Sequence, residues 1–215
     1  PFGPQHPVLP EPIHLDLVLE DEKVIEAIPS IGYIHRGLEK LIEKRDFNDY
    51  LYVIERICGI CSYMHGMGYC ESLERIFDVE IPDRAKYLRT IWCEMSRIHS
   101  HLLWLGLLAD AFEALFYQCW RMREKVLDMF ETSTGGRVIF SVNKIGGVLK
   151  DMDKDMLASF VKEFDTMEEE LKKLCNVFLT DYTVISRLKK VGILTKDDAI
   201  ATGAVGPMMR ASGIE

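Results

Sequence analysis

The 215-residue sequence lacks a long apolar run and a compact cluster of basic residues. Its most apolar stretch, 102–116, contains Asp110 and Glu113 and is shorter than a bilayer span, so we expect a buried helix there. The formal net charge is -8 at pH 7, and an acidic surface repels the phosphates of a nucleic acid. These absences argue against a nucleic-acid partner and against a membrane-spanning helix.

The sequence also shows no secretory features. Its six cysteines are therefore expected to be reduced thiols or metal ligands rather than a disulfide framework. A reducing, cytoplasmic compartment follows from this expectation. Apolar residues make up 48% of the chain, which is ample for a packed core.

The amino-terminal region predicts a loop followed by a small sheet. Repeated prolines in 1–13 favour an extended loop, because each proline fixes φ and removes a backbone donor. Apolar and polar residues alternate in 14–19 and 23–28 around the charged turn 20–22. This pattern predicts a β-hairpin with one buried face.

Helical spacing of the apolar residues begins after the hairpin. It predicts short helices at 38–42 and 50–54, then a central helix at 82–105 that we expect to be the longest. Further helices are predicted at 116–130 and, as one helix or a pair, at 152–188. The chain is thus expected to be α+β and mostly α, with a small amino-terminal antiparallel sheet and a helical bundle.

Three segments complete the predicted organisation. The run 138–140 is β-like between two glycine pairs, and 203–215 is loop-like without a closing element, so the chain looks cut rather than finished. We predict a loop and hairpin region at 1–34, a helical core at 35–190 and a loop-rich, truncated end at 191–215.

Cys58 and Cys61 are the strongest candidates for chemistry, because thiols two residues apart can bind one metal ion. One alternative is a zinc site that adds His65 and Cys70. A thioredoxin-like redox pair is less favoured, because the preceding 49–57 has a helical pattern where that fold needs a strand. Buried, inert thiols are the expectation for the cysteines within apolar helical stretches, Cys93, Cys119 and Cys175.

The surroundings of the pair carry a resemblance. The segment from Arg56 to His65, Arg-Ile-Cys-Gly-Ile-Cys-Ser-Tyr-Met-His, resembles the amino-terminal ligand motif of nickel-iron hydrogenases. Further segments also match this family: 3–7 (Gly-Pro-Gln-His-Pro), 35–40, 96–101 and 145–148. Together these matches span most of the chain.

The opening Gly-Pro-Gln-His-Pro is shared by energy-converting, membrane-bound hydrogenases and the homologous 49 kDa quinone-site subunit of respiratory Complex I. That Complex I subunit lacks the cysteine pair and has a quinone-contacting tyrosine near the position of Gly59. The resemblance is therefore closest to the group 4, Ech-like hydrogenases, and a Complex I-like relative is the alternative.

The resemblance implies a role for each matching residue. Cys58 would be a terminal nickel ligand and Cys61 a bridge between nickel and an iron that carries diatomic ligands. His65 would donate a hydrogen bond toward the bridging sulfur, although a lone histidine beside a helix is often a core residue. Glu11 would accept the proton that leaves the site; from the residues alone, a solvated loop glutamate is an equal alternative.

Glu39 matches the family glutamate that binds a magnesium ion, and its alternative is a surface salt bridge with Arg36 or Lys40. Arg36 could instead anchor a backbone carbonyl, and with Arg56 it could counter the charge of the thiolates.

We do not expect a catalytic role for three of the histidines, His6, His99 and His101. His6 would line a loop that faces a membrane partner, where Complex I relatives bind the quinone head group. His99 and His101 point in different directions on a helix, so we interpret them as packing or interface residues.

The resemblance implies a hydrogen-activating subunit that oxidises H2 or reduces protons, coupled to ferredoxin and ion translocation. Its partners would be a small iron-sulfur subunit and membrane subunits, at the cytoplasmic face of the membrane. The family's second cysteine pair is absent from this sequence, so we expect a fragment that is inactive alone, holds no complete cofactor and self-associates. The alternatives are a non-catalytic quinone-site or electron-transfer scaffold and a zinc-stabilised helical module.

Overall fold

The computed structural model describes residues 1–110 and 112–215 of the chain. Its fold is α+β and mostly α, as the sequence predicts. The elements are, in chain order, β1 (His14–Glu20), β2 (Lys23–Ser30), α1 (Leu38–Ile42), α2 (Phe47–Ile54), α3 (Ser62–Phe77), α4 (Asp83–Leu108), α5 (Glu113–Thr134), β3 (Asn143–Lys144), β4 (Gly147–Val148), α6 (Lys154–Thr180), α7 (Tyr182–Leu188), α8 (Lys196–Ala201) and α9 (Gly206–Ala211).

β1 and β2 form the predicted antiparallel hairpin, in which His14 pairs with Ser30. Asp21 and Glu22 close it with positive φ angles of 48° and 67°, the conformation that a tight hairpin turn requires. The amino-terminal loop is tied to this hairpin, because Phe2 forms a two-way backbone bridge with a residue of β1. The predicted buried face is wrong, since every residue of β2 is exposed.

The core lies among α3, α4 and α5. Tyr63, Trp92 and Phe130 are its largest buried side chains. On α4 the buried positions recur every three or four residues, which is the stripe that a packed helix presents. The central helix is confirmed at 26 residues, but α6 is one residue longer, so the prediction that the central helix is the longest is wrong.

The segment after α5 corrects one prediction. Residues 138–140, all of which the structure describes, are not a strand. Instead Phe140 is buried with its ring 5.6 Å from that of Tyr63 and 4.5 Å from that of Phe130, measured between centroids. Packing against these rings replaces strand pairing, and the short β3–β4 hairpin follows.

Backbone contacts divide the chain into two compact units, Pro1–Met167 and Glu168–Glu215. The predicted helix pair at 152–188 is confirmed as α6 and α7. The predicted loop-like end contains the helices α8 and α9; Thr195 caps α8 by accepting a hydrogen bond from the backbone N–H of Asp198. The predicted boundaries after residues 34 and 190 stay predictions.

Among residues 1–110 and 112–215, no helix combines the length and apolar character that crossing a bilayer demands.

Candidate metal centre

The two cysteines lie on the short connection between α2 and α3. Glu55 is the C-cap of α2, and Cys61 is the N-cap of α3. The side chains of Cys58 and Cys61 are both half-buried, so neither thiol is sealed in the core. Because a helix leads into the pair, the setting differs from a thioredoxin-like motif, which follows a strand.

The sulfur of Cys58 is the acceptor of the local hydrogen bonds. The backbone N–H groups of Ile60 and Cys61 lie 3.4 Å and 3.3 Å from Cys58 Sγ. These two amide donors fix the position of the sulfur within the turn that joins the cysteines. Cys58 is thus held in one conformation by its own loop.

The thiol of Cys61 has a strongly shifted pKa. Burial, the hydrogen bond and charge of Cys58, and the more distant charge of Glu11 raise the pKa of the Cys61 thiol to about 12. A metal ion that binds Cys61 at neutral pH must therefore displace its proton. The influence of Glu11 also places that exposed carboxylate near the pair, although the two residues are 50 positions apart in the sequence.

A buried histidine holds the loop between the cysteines. His99 Nε2 lies 2.8 Å from the carbonyl oxygen of Ile60, and Arg123 Nε lies 3.1 Å from His99 Nδ1. An arginine can only donate, so Nδ1 accepts and Nε2 carries the proton that is donated to Ile60. Burial lowers the pKa of His99 to about 4, so the ring is neutral at pH 7.

The sequence interpretation of His99 as a packing or interface residue missed this contact. His99 follows Met95 by four residues and Trp92 by seven, which places it on the apolar stripe of α4. That spacing was the available signal of burial. His101 is exposed, as its different direction on the helix predicts.

Glu55 is a second residue that the sequence interpretation missed. Its side chain is fully buried, and Ser141 Oγ donates to its Oε2 at 2.5 Å. Burial raises the pKa of Glu55, against the opposing effects of Ser141 and Arg56. Gly66 on α3 makes room for this carboxyl, since a Cβ there would lie 2.9 Å from Glu55 Oε1.

The two predicted arginines contact backbone carbonyls. Arg36 donates to the carbonyl of Ile57 at 3.0 Å, immediately before Cys58, so it anchors a backbone carbonyl, one of the three roles considered for it. Arg56 donates to the carbonyl of Tyr52 at 2.7 Å. Both arginines are exposed.

The other predicted residues lie at varied distances from the pair. His65 is half-buried on the first turn of α3, and its backbone N–H bonds the carbonyl of Cys61. Glu39 is exposed at the edge of a mostly apolar cavity of about 510 Å³ that Pro12, Arg36 and Ile57 also line. Lys40, a possible partner of Glu39, pairs with Glu43 instead.

His6 makes its contacts within the amino-terminal loop. Its ring is 4.4 Å from that of Phe2, measured between centroids, and its Nδ1 accepts the backbone N–H of Val8. These contacts order the loop.

Within the part of the chain that the structure describes, no group of three or more His, Cys, Asp or Glu side chains is arranged to hold a metal ion. Cys70, which the zinc alternative required, is fully buried in α3. The zinc alternative is therefore not assembled. Two half-buried thiols close enough to share a hydrogen bond instead fit part of the thiolate set of a soft-ligand centre, such as a nickel-iron pair.

Two family models match successive parts of the chain. Residues 36–110 match "Nickel-dependent hydrogenase", and residues 111–215 match "Respiratory-chain NADH dehydrogenase, 49 Kd subunit". The chain belongs to the homologous family that these two models describe. Both cysteines lie in the part that matches the hydrogenase model.

Individual members of this family agree with that assignment. The membrane-bound hydrogenase subunit alpha of Pyrococcus furiosus is 37% identical over 100% of this chain and 51% of its own length. An NADH-quinone oxidoreductase subunit of Chloroherpeton thalassium is 36% identical over 99% of this chain and 49% of its own length. The chain thus spans about half the length of these curated relatives.

A solved structure supports the same fold. A chain in the structure of the membrane-bound sulfane sulfur reductase, an archaeal respiratory membrane complex, superposes with a TM-score of 0.90 and 30% sequence identity. The match covers 98% of this chain and 57% of the other. Members of the family therefore occur in membrane complexes with different reactions, and the residues of the site must decide between them.

Proposed function

We propose that this chain supplies two of the thiolate ligands of a nickel-iron centre in the hydrogen-activating subunit of a membrane-bound hydrogenase. Cys58 would be a terminal nickel ligand and Cys61 the bridge to an iron with diatomic ligands. The observation that carries the proposal is the half-buried pair, placed in the segment that matches nickel-dependent hydrogenases. When bound, such a centre supplies the splitting of H2 into charged fragments.

The surrounding residues support this chemistry in separate ways. The N–H donors to Cys58 Sγ hold its sulfur in place, and Arg36 and His99 fix the loop carbonyls on either side of it. We infer that Glu11 takes up the proton that leaves the cysteine sulfur, because its charge already acts on Cys61 and its exposure gives the proton a path to water. His65 would donate toward the bridging sulfur.

The wider setting of the proposed reaction is inferred from the resemblance to membrane-bound hydrogenases. The chain would act with a small iron-sulfur subunit, ferredoxin and membrane subunits, at the cytoplasmic face of the membrane, and would couple the oxidation or formation of H2 to ion translocation. Glu39 would hold a magnesium ion beside the cavity that it lines; Arg56 would counter thiolate charge.

Metal analysis of the native complex tests the proposal. We expect nickel and iron, together with H2-dependent dye reduction that Cys61→Ser abolishes. Cys175→Ser is the matched control, because Cys175 is an exposed cysteine far along the chain on α6, and it should leave both readouts unchanged. Stoichiometric zinc without H2 uptake would refute the proposal.

Glu11→Gln separates proton transfer from assembly of the centre. The variant should keep its metal content but lose hydrogen isotope exchange, because the amide cannot take up the proton. Glu22→Gln, at the exposed turn of the hairpin, is the control that should retain exchange. Unchanged exchange in Glu11→Gln would remove this glutamate from the proton path.

A second candidate function is a non-catalytic, Complex I-like quinone-site scaffold. The match of residues 111–215 to the 49 kDa model favours it. His6 would then face the quinone from the amino-terminal loop. A complex without nickel whose quinone reduction is lost in His6→Ala would support this candidate over the hydrogenase.

A further inference from the structure

One peptide group links the buried histidine to the sulfur of Cys58. The carbonyl oxygen of Ile60 and the N–H of Cys61 belong to the same peptide bond. His99 Nε2 donates to that carbonyl at 2.8 Å, while the N–H of Cys61 lies 3.3 Å from Cys58 Sγ. With Arg123 Nε 3.1 Å from His99 Nδ1, a continuous chain of hydrogen bonds runs from a guanidinium to a sulfur.

Every bond in this chain points the same way. Arginine has no acceptor, so the donors follow in the order Arg123, His99 and the Cys61 amide. Hydrogen bonds in such a series polarise one another, and each strengthens the next. A donor bound to the Ile60 carbonyl therefore makes the Cys61 N–H a stronger donor to Cys58 Sγ.

The cation at the far end of this series of hydrogen bonds is buried, and no described carboxylate forms an ion pair with it. Arg123 is 8% exposed and His99 2% exposed. Among the described residues the structure gives Arg123 no ion pair; its guanidinium carbon lies 5.1 Å from the centre of the Trp120 ring instead. In this weakly screened interior the positive charge acts on the imidazole of His99, and the charge of Glu124 opposes it in part.

We propose that Arg123 and His99 are positioning residues that hold Cys58 and, through the Ile60–Cys61 peptide, draw electron density from its sulfur. Both residues act on Cys58 through the intervening groups, since His99 bonds the Ile60 carbonyl and Arg123 bonds His99. Their effect on a bound metal rests on the proposed function, because it needs Cys58 as a ligand. The relay itself is a property of the protein and can be tested without metal.

The test uses the whole chain, metal-free and labelled with ¹⁵N only at cysteine, which gives one backbone amide signal for each of six cysteines. We expect the Cys61 amide proton to move upfield in Arg123→Met, because its hydrogen bond to Cys58 Sγ weakens. His99→Leu should cause a larger upfield shift. The amides of Cys70 and Cys175 are internal references that should stay in place.

Conservative variants separate the relay from simple packing. Arg123→Lys keeps the charge, and His99→Gln keeps both a donor and an acceptor, so each should restore most of the Cys61 shift. Ser133→Ala is the matched control, because it removes another buried hydrogen bond of α5, the one from Trp92 Nε1, without touching the loop. It should leave the Cys61 signal unmoved.

Two results would overturn the inference: a Cys61 amide that stays in place in both Arg123→Met and His99→Leu, or six cysteine signals that shift together. If His99→Leu does not fold, Arg123→Met against Arg123→Lys decides. Finding no nickel in the native complex would refute the proposed hydrogenase function but would not affect a relay that the Cys61 shift had demonstrated. Finding nickel without the Cys61 shift would support the hydrogenase function and refute the relay.

Discussion

Two loops of this chain are fixed to the helices by buried arginines, and the two arrangements differ in charge. At the β3–β4 hairpin, Arg89 donates to the carbonyls of Lys144 and Gly147 at 2.8 Å and 2.9 Å. The same guanidinium forms a two-pronged ion pair with buried Glu74, at 2.8 Å and 2.7 Å. The positive charge of Arg89 is therefore matched by a carboxylate within this anchor.

At the cysteine loop the anchor is a neutral histidine, and no described carboxylate pairs with the arginine behind it. His99 donates one hydrogen bond to the loop, at the carbonyl of Ile60, and accepts one from Arg123. The first arrangement pairs its cation with a buried carboxylate. The second places a buried cation behind a loop that carries two half-buried thiols.

Removing the balanced anchor should have the largest effect. Arg89→Met leaves the carboxylate of Glu74 buried without its cation, and breaking a buried pair in this way costs about 3–5 kcal/mol. Urea unfolding measures the loss. Hydrogen exchange should also show faster opening at β3 and β4 than at the cysteine loop, if the two anchors act separately.

Arg97→Met is the control for that variant. Arg97 lies on the same helix and pairs with Glu94, but both side chains are more than half exposed, so the loss of stability should be much smaller. The double variant Arg89→Met with Glu74→Leu should recover part of the stability, because no charge is then left unpaired. Equal losses in Arg89→Met and Arg97→Met would contradict the comparison.

The pKa of Glu74 agrees with this account. Although burial acts to raise it, the donors Arg89 and the Gly146 N–H hold the pKa of Glu74 below its ordinary value. The carboxylate is thus ionised wherever the protein is folded near neutral pH, and the pair is a true ion pair.

The two anchors also show which features could not be predicted from the sequence. The segment from Arg56 to His65 is contiguous, and the helices follow from short-range periodicity, so both could be predicted from local pattern. The anchors join residues that are far apart in sequence. His99 and Ile60 are 39 positions apart, and Ser141 and Glu55 are 86 apart, and no local rule pairs them.

The wrong predictions have the same origin. Residues 138–140 have β propensity but no adjacent strand, and ring packing by Phe140 determined their conformation instead. The alternation in β1 and β2 predicted a buried face, whereas Val24, Ile25 and Ile28 are more than half exposed. Alternation identifies a strand but not what covers it.

A pH titration sharpens the comparison at the neutral anchor. Below pH 6.5 the unfolded chain protonates His99, while the folded protein keeps the ring neutral until about pH 4. Unfolding therefore takes up a proton in this window, and stability falls as the pH falls. Between pH 6.5 and pH 4 the contribution of His99 that is lost is roughly 3 kcal/mol.

Comparing variants isolates that contribution, because the carboxylates titrate alike in each protein. His99→Gln should have a flatter dependence of unfolding free energy on pH than the unmodified chain, by this amount. His101→Gln, which changes an exposed histidine two residues along α4, should keep the original slope. Parallel curves for His99→Gln and the unmodified chain would show that the ring is not held neutral.

The smallest change in the free energy of unfolding should come from disturbing the hydrogen bond between Ser141 and Glu55, which joins the two loops. Glu55 caps α2 just before the cysteines, and its partner Ser141 lies just before β3. Gly66→Ala would place a Cβ 2.9 Å from Glu55 Oε1 and 3.0 Å from its Cγ, which forces the carboxyl to move at a cost of about 1–3 kcal/mol. Hydrogen exchange should then become faster in both loops.

Gly68→Ala makes this test decisive, because it is the same substitution two residues further along α3. No atom lies within 4 Å of the Cβ that it adds, and alanine favours a helix over glycine by about 0.5–1 kcal/mol. The two variants should therefore shift the free energy of unfolding in opposite directions. If Gly66→Ala stabilises the chain as Gly68→Ala does, Glu55 is free to move and the two loops are anchored independently. If Gly66→Ala speeds hydrogen exchange only in the cysteine loop, the bond between Ser141 and Glu55 does not couple that loop to the β3–β4 hairpin.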